Sequence, residues 1–212
     1  MIKSMKLKDD STCKEMTMKP VSRWIVLACA ICMTGSLVFP FWKITLVAPQ
    51  YPEGLEMFIY PSGVRGQVNL INGLNHYIGM KAILNDDFPE FKVLPYWLGF
   101  LILTGIVTFI VNKLNWLWIW VSALLATGII GIIDFWRWEY NYGHNLDPHA
   151  AIKIPGVTYQ PPLLGYKQLL NFVAGAFPAL GGYMIIVPGI LLTGIAVFER
   201  YNQKKRKYAL VS

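Results

Sequence analysis

Residues 95–133 read PYWLGFLILTGIVTFIVNKLNWLWIWVSALLATGIIGII, with Lys113 as the one charged side chain in the stretch. On either side of Asn112-Lys113-Leu114-Asn115 lies an uncharged apolar run, Pro95–Asn112 and Trp116–Ile133. Each is about the length a helix needs to cross ~30 Å of hydrocarbon. The short polar connection between them predicts an antiparallel helical hairpin. Two further runs of this kind flank it, Trp24–Trp42 and Pro178–Phe198. None of the four contains Asp, Glu, Lys, Arg or His. Trp24, Trp42, Trp97, Trp116 and Trp136 fall at or near the ends, where amphipathic rings sit among headgroups.

Composition agrees. Of 212 residues, 55% are hydrophobic and 15% charged, with mean hydropathy +0.43; a soluble domain carries about a quarter charged residues. The expected class is an all-α integral membrane protein, with four transmembrane helices and two long, compact extracytoplasmic loops. The expected divisions are a basic cytoplasmic segment 1–23, a membrane domain 24–198 with outer loops 43–94 and 134–177, and a basic cytoplasmic tail 199–212. The first span is too long for a signal-peptide core and is followed by no A-x-A site, so it reads as an uncleaved anchor.

The net charge of +7 is a membrane-orientation signal and does not call for nucleic acid. Segments 1–23 and 199–212 together with Lys113 hold 12 bases against four acids, and the two long loops hold seven against eight. By the positive-inside rule both termini and the Lys113 turn are expected to face the cytoplasm. The basic tail also suits an anionic lipid or partner.

Several chemistries are disfavoured. Spans without ionisable groups lack the usual proton relays and ion paths of transporters. No histidine lies in them to ligate haem, and no C-x-x-C-H attaches it covalently, so no haem is expected. Nucleotide loops, nucleophile elbows and kinase signatures are missing, and no catalytic residue is expected. Cys13, Cys29 and Cys32 all precede the loops, which excludes a disulfide-stapled ectodomain. Cys29 and Cys32, three apart with Met33 beside them, suit Cu(I) or plain helix packing.

All three histidines lie in the outer loops. Residues 67–84 read as an amphipathic helix with Leu70, Ile71, Leu74 and Ile78 on one face and Asn72, His76 and Met80 on another. His and Met one turn apart suit copper; the alternative is a surface helix whose Met fills a gap. In the second loop His144-Asn145-Leu146-Asp147-Pro148-His149 sets two imidazoles and a carboxylate within six residues, with Asp134 and Glu139 nearby. The candidate metal ligands are therefore His76, Met80, His144 and His149. Phe41-Trp42-Lys43 and Phe135-Trp136-Arg137 echo one another, each near the start of a long loop.

Three phrases resemble a family of small membrane proteins from the gene clusters of Sec-exported, second-clade nitrous-oxide reductases. They are Ala48-Pro49-Gln50-Tyr51-Pro52-Glu53-Gly54-Leu55, then Ile71-Asn72-Gly73-Leu74-Asn75-His76-Tyr77-Ile78-Gly79-Met80, then Tyr159-Gln160-Pro161-Pro162-Leu163-Leu164-Gly165 with Lys167-Gln168-Leu169-Leu170-Asn171-Phe172. The resemblance implies a non-catalytic accessory protein of the cytoplasmic membrane, facing the periplasm. Its expected partners are the bilayer and a periplasmic copper enzyme or its assembly factors. The expected roles are maturation or copper supply, with electron-delivery docking or, further off, a small transporter as alternatives.

Overall fold

The computed structural model describes residues 17–152, 154, 156 and 158–209. Cys13, Pro155 and the bases Lys3, Lys6, Lys8 and Lys14 lie outside the described residues, as do the side chains of Arg206 and Lys207.

Among the described residues, four helices are long and apolar enough to cross a membrane. They are α1 (Pro20–Thr34, extended by a 3-10 turn, Gly35–Leu37), α3 (Glu90–Val111), α4 (Leu114–His144) and α5 (Leu180–Ala209). Pro20 opens α1 at the position where a missing N–H costs nothing. Asn112, in the left-handed region at φ 54°, ends α3 and makes the tight turn into α4. The main contacts run α1 to α3, α3 to α4, α4 to α5 and α5 back to α1, a closed ring of four. Val26, Cys29, Ala30, Met33, Leu101, Leu117, Trp120, Val121, Leu192 and Ala196 fill it. The Trp120 indole N–H donates to the Leu101 carbonyl at 2.8 Å, so the largest polar donor in that core is satisfied.

One end of the bundle is tied by polar contacts. Thr17 bridges Lys113, Arg23 Nε donates to the Phe109 carbonyl at 2.9 Å, and Ser22 Oγ and the Lys19 N–H both donate to Glu199 Oε1. The start of α1, the α3–α4 turn and the far part of α5 therefore lie together.

The other end overturns the all-α expectation. Both long connections fold into one five-stranded antiparallel sheet: β1 (Trp42–Ala48), β2 (Tyr51–Tyr60), β3 (Gly63–Gly66), β4 (Gly165–Leu169) and β5 (Phe172–Pro178), in the order β3-β2-β1-β5-β4. Strand β1 is central, pairing Ile44 with Met57 and Ala176, and Leu46 with Leu55 and Ala174. Those side chains share one buried face, as the two-residue period of a strand requires. The physical reason is backbone satisfaction. Each hairpin alone is marginal, and joining them through β1 and β5 buries one apolar face under five strands.

Helix α2 (Val68–Tyr77) packs under the sheet through Ile71 and Leu74. It is shorter than the expected 67–84, because Gly79 at φ 78° turns the chain and residues 80–84 run without regular structure. Trp42, expected at the end of the first span, instead opens β1. Helix α4 exceeds its expected end at Ile133 by three turns. Thirty-one residues give about 46 Å, so the part after the uncharged stretch stands clear of it and enters the cap. There Phe135, Trp138 and Tyr142 pack against the sheet's inner face. The two echoed phrases meet, with the Trp42 and Phe135 rings 5.7 Å apart.

The junction is rigid. Phe41 N–H donates to the Ile59 carbonyl, Ala179 N–H to that of Phe41, and Gly181 N–H to that of Pro40. Side chains at Gly181 or Gly182 would strike the carbonyls of Phe39 and Phe41. The small residues of α5 thus admit the 39–41 segment, and further along Gly189 nears Leu124 of α4.

Candidate functional site

The cap encloses a cavity of about 50 Å³ between the sheet's inner face, α2 and the upper end of α4. Met57, Met80, Trp138, Tyr142 and Tyr159 are among its walls. The Tyr142 hydroxyl donates to the Ala82 carbonyl at 3.1 Å, and burial pushes its phenol above the usual range. Asn72 bonds both backbone groups of Ile83, which folds the 80–84 segment back over α2.

Glu139 lies beside this cavity wall on α4 and is 0% exposed. Among the described residues neither carboxylate oxygen has a hydrogen-bond partner, and the Tyr159 hydroxyl, on a residue 1% exposed, has none either. Burial raises the Glu139 carboxyl to about 8; the Lys167 ammonium pulls the other way. Residues 158–163 cross α4 as a strap, with the Tyr159 N–H donating to the Gly143 carbonyl at 3.0 Å. A Cβ on Gly143 would stand 2.3 Å from Gln160 backbone atoms, so the strap lies flat on α4 because that residue is glycine. Lys167 Nζ in turn donates to the Gln160 carbonyl at 3.0 Å. Sequence reading placed Glu139 only as a neighbour of the histidines. The missed signal was the spacing of Phe135, Trp138 and Tyr142, which continues a helical stripe and carries Glu139 into the interior with it.

The four candidate metal ligands divide. His76 is exposed on the last turn of α2. Met80 follows the Gly79 turn and lines the cavity, so the two do not share a helical face. His144 ends α4, half-buried, with its ring stacked on Tyr140 at 3.9 Å. Its Nδ1 lies 2.9 Å from the Tyr140 carbonyl, which can only accept, so Nδ1 is the donor and in the neutral imidazole the lone pair is on Nε2. His149 is exposed in a turn whose backbone N–H donates to Asp147. The two segments do meet through backbone. Asp147 N–H donates to the Gly79 carbonyl at 2.8 Å and Ile152 N–H to that of Tyr77 at 2.9 Å. No three His, Cys, Asp or Glu side chains gather around one point among the described residues. In the bundle, Cys29 and Met33 point into the core while Cys32 is exposed, so these three do not form one donor face.

The sheet's outer face carries a different set. Lys43 pairs with Glu56 at 2.6 Å and lies over Phe58, Arg65 lies over Tyr60, and Tyr166 meets Phe177 edge-on at 5.0 Å. Among the described residues no helix packs on it; Tyr166 is 74% exposed, and Val47 and Val173 on the same face are exposed. No protein-family model matches the chain, and no curated protein matches it either.

Proposed function

We propose that this chain is a non-catalytic accessory protein of the bacterial cytoplasmic membrane that presents a rigid cap to a periplasmic copper enzyme. Nitrous-oxide reductase is the enzyme that the sequence resemblance indicates. The supporting observation is where the three resembling phrases fall. The first is the β1–β2 hairpin, the second is α2 with its Gly79 turn, and the third is the strap with the β4–β5 hairpin. All belong to the cap, and the cap is stapled to the bundle. The excess of bases at the opposite end of the bundle supports a cytoplasmic side there, with the cap outside.

Two roles fit this placement. Copper supply draws on the seam between residues 76–80 and 144–152. The proton on His144 Nδ1 leaves Nε2 free to ligate, with a carbonyl behind it of the kind that orients metal-bound imidazoles. His76 and His149, both exposed, are the neighbouring donors, whereas Met80 faces the cavity. Docking for electron delivery draws on the open sheet face, where exposed aromatic and basic side chains offer a surface of the composition that protein partners bury.

Deleting the gene in its host separates these roles. Copper supply requires the enzyme to be exported in normal amount with depleted copper. Docking requires normal copper and slowed electron delivery from the membrane. An enzyme unchanged in both respects contradicts the proposal. For copper, purified wild type should compete with a Cu(I) chelator better than a His76→Ala/His144→Ala/His149→Ala variant; equal competition removes the copper role and leaves docking.

A further inference from the structure

Glu139 combines three features that packing alone does not account for. It is fully buried, neither of its oxygens meets a donor among the described residues, and it stands on the part of α4 that enters the cap. A carboxylate ion in such a place is costly, while the neutral acid is far less so. Its cover is specific as well. The strap is fixed one turn away by the Tyr159–Gly143 hydrogen bond, with Gln160 against the bare Gly143 backbone. The same Gln160 carbonyl holds the Lys167 ammonium.

Among the described residues the charges around it are few. Lys167 on β4 is the group whose field acts on Glu139. Asp87 acts on Tyr142, and Glu90 and Arg137 act on Asp134. The inner faces of β1, β2 and β5 present Ile44, Leu46, Leu55, Met57, Ala174 and Ala176, none of which titrates. The unpartnered Tyr159 hydroxyl belongs to the strap itself.

We propose that Glu139 is a proton-binding latch of the cap, neutral while the strap of residues 158–163 lies over α4 and ionised when the strap lifts. On lifting, the carboxylic O–H bond breaks, the proton passes to water, and the carboxylate pairs with Lys167, released from the Gln160 carbonyl. Closure reverses each step, so each closing event takes up one proton. The latch ties the exposure of the strap, and of β4 that follows it, to the pH on the cap's side of the membrane.

The test uses the full chain in lipid nanodiscs. Infrared spectra at about pH 7 should contain the carbonyl stretch of a buried protonated carboxyl that is missing from Glu139→Gln. That band should fade on raising the pH through about 8. Glu139→Gln is isosteric with the neutral acid and should fold. In Lys167→Met the band should persist to higher pH, because the cation that favours ionisation is gone; this arm holds even if the Gln variant misfolds. Tryptic cleavage after Lys167 should accelerate several-fold between about pH 7 and pH 9 in wild type, measured relative to Glu139→Gln at each pH. Absence of the band at pH 7 overturns the proposal, since the carboxyl would then be ionised under the closed strap. A band that titrates with no change in cleavage also overturns it, since the proton would not be linked to the strap.

Discussion

Two glutamates are buried to the same degree at opposite ends of this molecule, and their surroundings differ completely. Glu199, 1% exposed, receives the Ser22 hydroxyl at 2.5 Å and the Lys19 N–H at 3.1 Å. Glu139, 0% exposed, receives nothing from the described residues. The first ties α5 to the start of α1; the second joins nothing to the strap above it. Burial by itself therefore does not determine what a carboxyl does. The donors around it decide whether it fastens two elements together or stands unpartnered.

The largest expected effect follows from that contrast. Folding raises the Glu139 carboxyl from 4.5 to about 8, so the folded cap binds this proton more tightly than the unfolded chain does. Stability contributed by this group is highest on the acid side, falls as pH rises from 4.5 to about 8, and then levels off. The slope is about 1.4 kcal/mol per pH unit for one proton. Thermal unfolding of the detergent-purified protein, measured across that window, should show the decline in wild type and lose it in Glu139→Gln. A Glu139→Gln profile parallel to wild type would place the dependence elsewhere.

Removing the partnered carboxylate should have the opposite sign. Glu199→Ala strands the Ser22 hydroxyl and the Lys19 N–H in a buried site and should destabilise the bundle by about 2–3 kcal/mol. The shift in unfolding temperature checks it, and a neutral result would mean that water replaces the carboxylate there.

Next comes Gly143→Ala, whose methyl would meet Gln160 backbone that cannot rotate away. A cost of about 1–3 kcal/mol is expected from such overpacking. Faster proteolysis should be confined to the strap and β4, with the bundle unaffected. The smallest effect is expected for Trp120→Phe. It removes the hydrogen bond to the Leu101 carbonyl while keeping most of the ring, and should cost about 1 kcal/mol.

The two halves of the molecule were also unequally legible in the sequence. A lipid-facing helix has to be uncharged along its whole length, so each of the four spans could be found from its own residues. The sheet has no such independence. Ile44, Leu46 and Ala48 alternate as a strand should, as do Leu55, Met57 and Ile59, but the pairing that matters joins Leu46 to Ala174 across most of the chain. Register of that kind is fixed by the shared buried face and the bundle beneath it, and neither is written in a local window. The charged residues after Ile133 read as the start of a loop, although Phe135, Trp138 and Tyr142 keep a helical spacing. Glu139 was missed with them. The His76–Met80 spacing failed for a local reason, since Gly79 ends the helix between the two residues.

The cap and its latch exist because the two long connections form one sheet. Amide hydrogen exchange of the full chain in nanodiscs, followed peptide by peptide, tests this directly. With β1 central and β5 paired to it along six residue pairs, peptides covering Trp42–Ala48 and Phe172–Pro178 should be the slowest to exchange in the cap, and at matching rates. If Phe172–Pro178 exchanges at the speed of an open loop while Trp42–Ala48 stays protected, the second connection does not join the sheet, and the account of the cap and its latch is wrong.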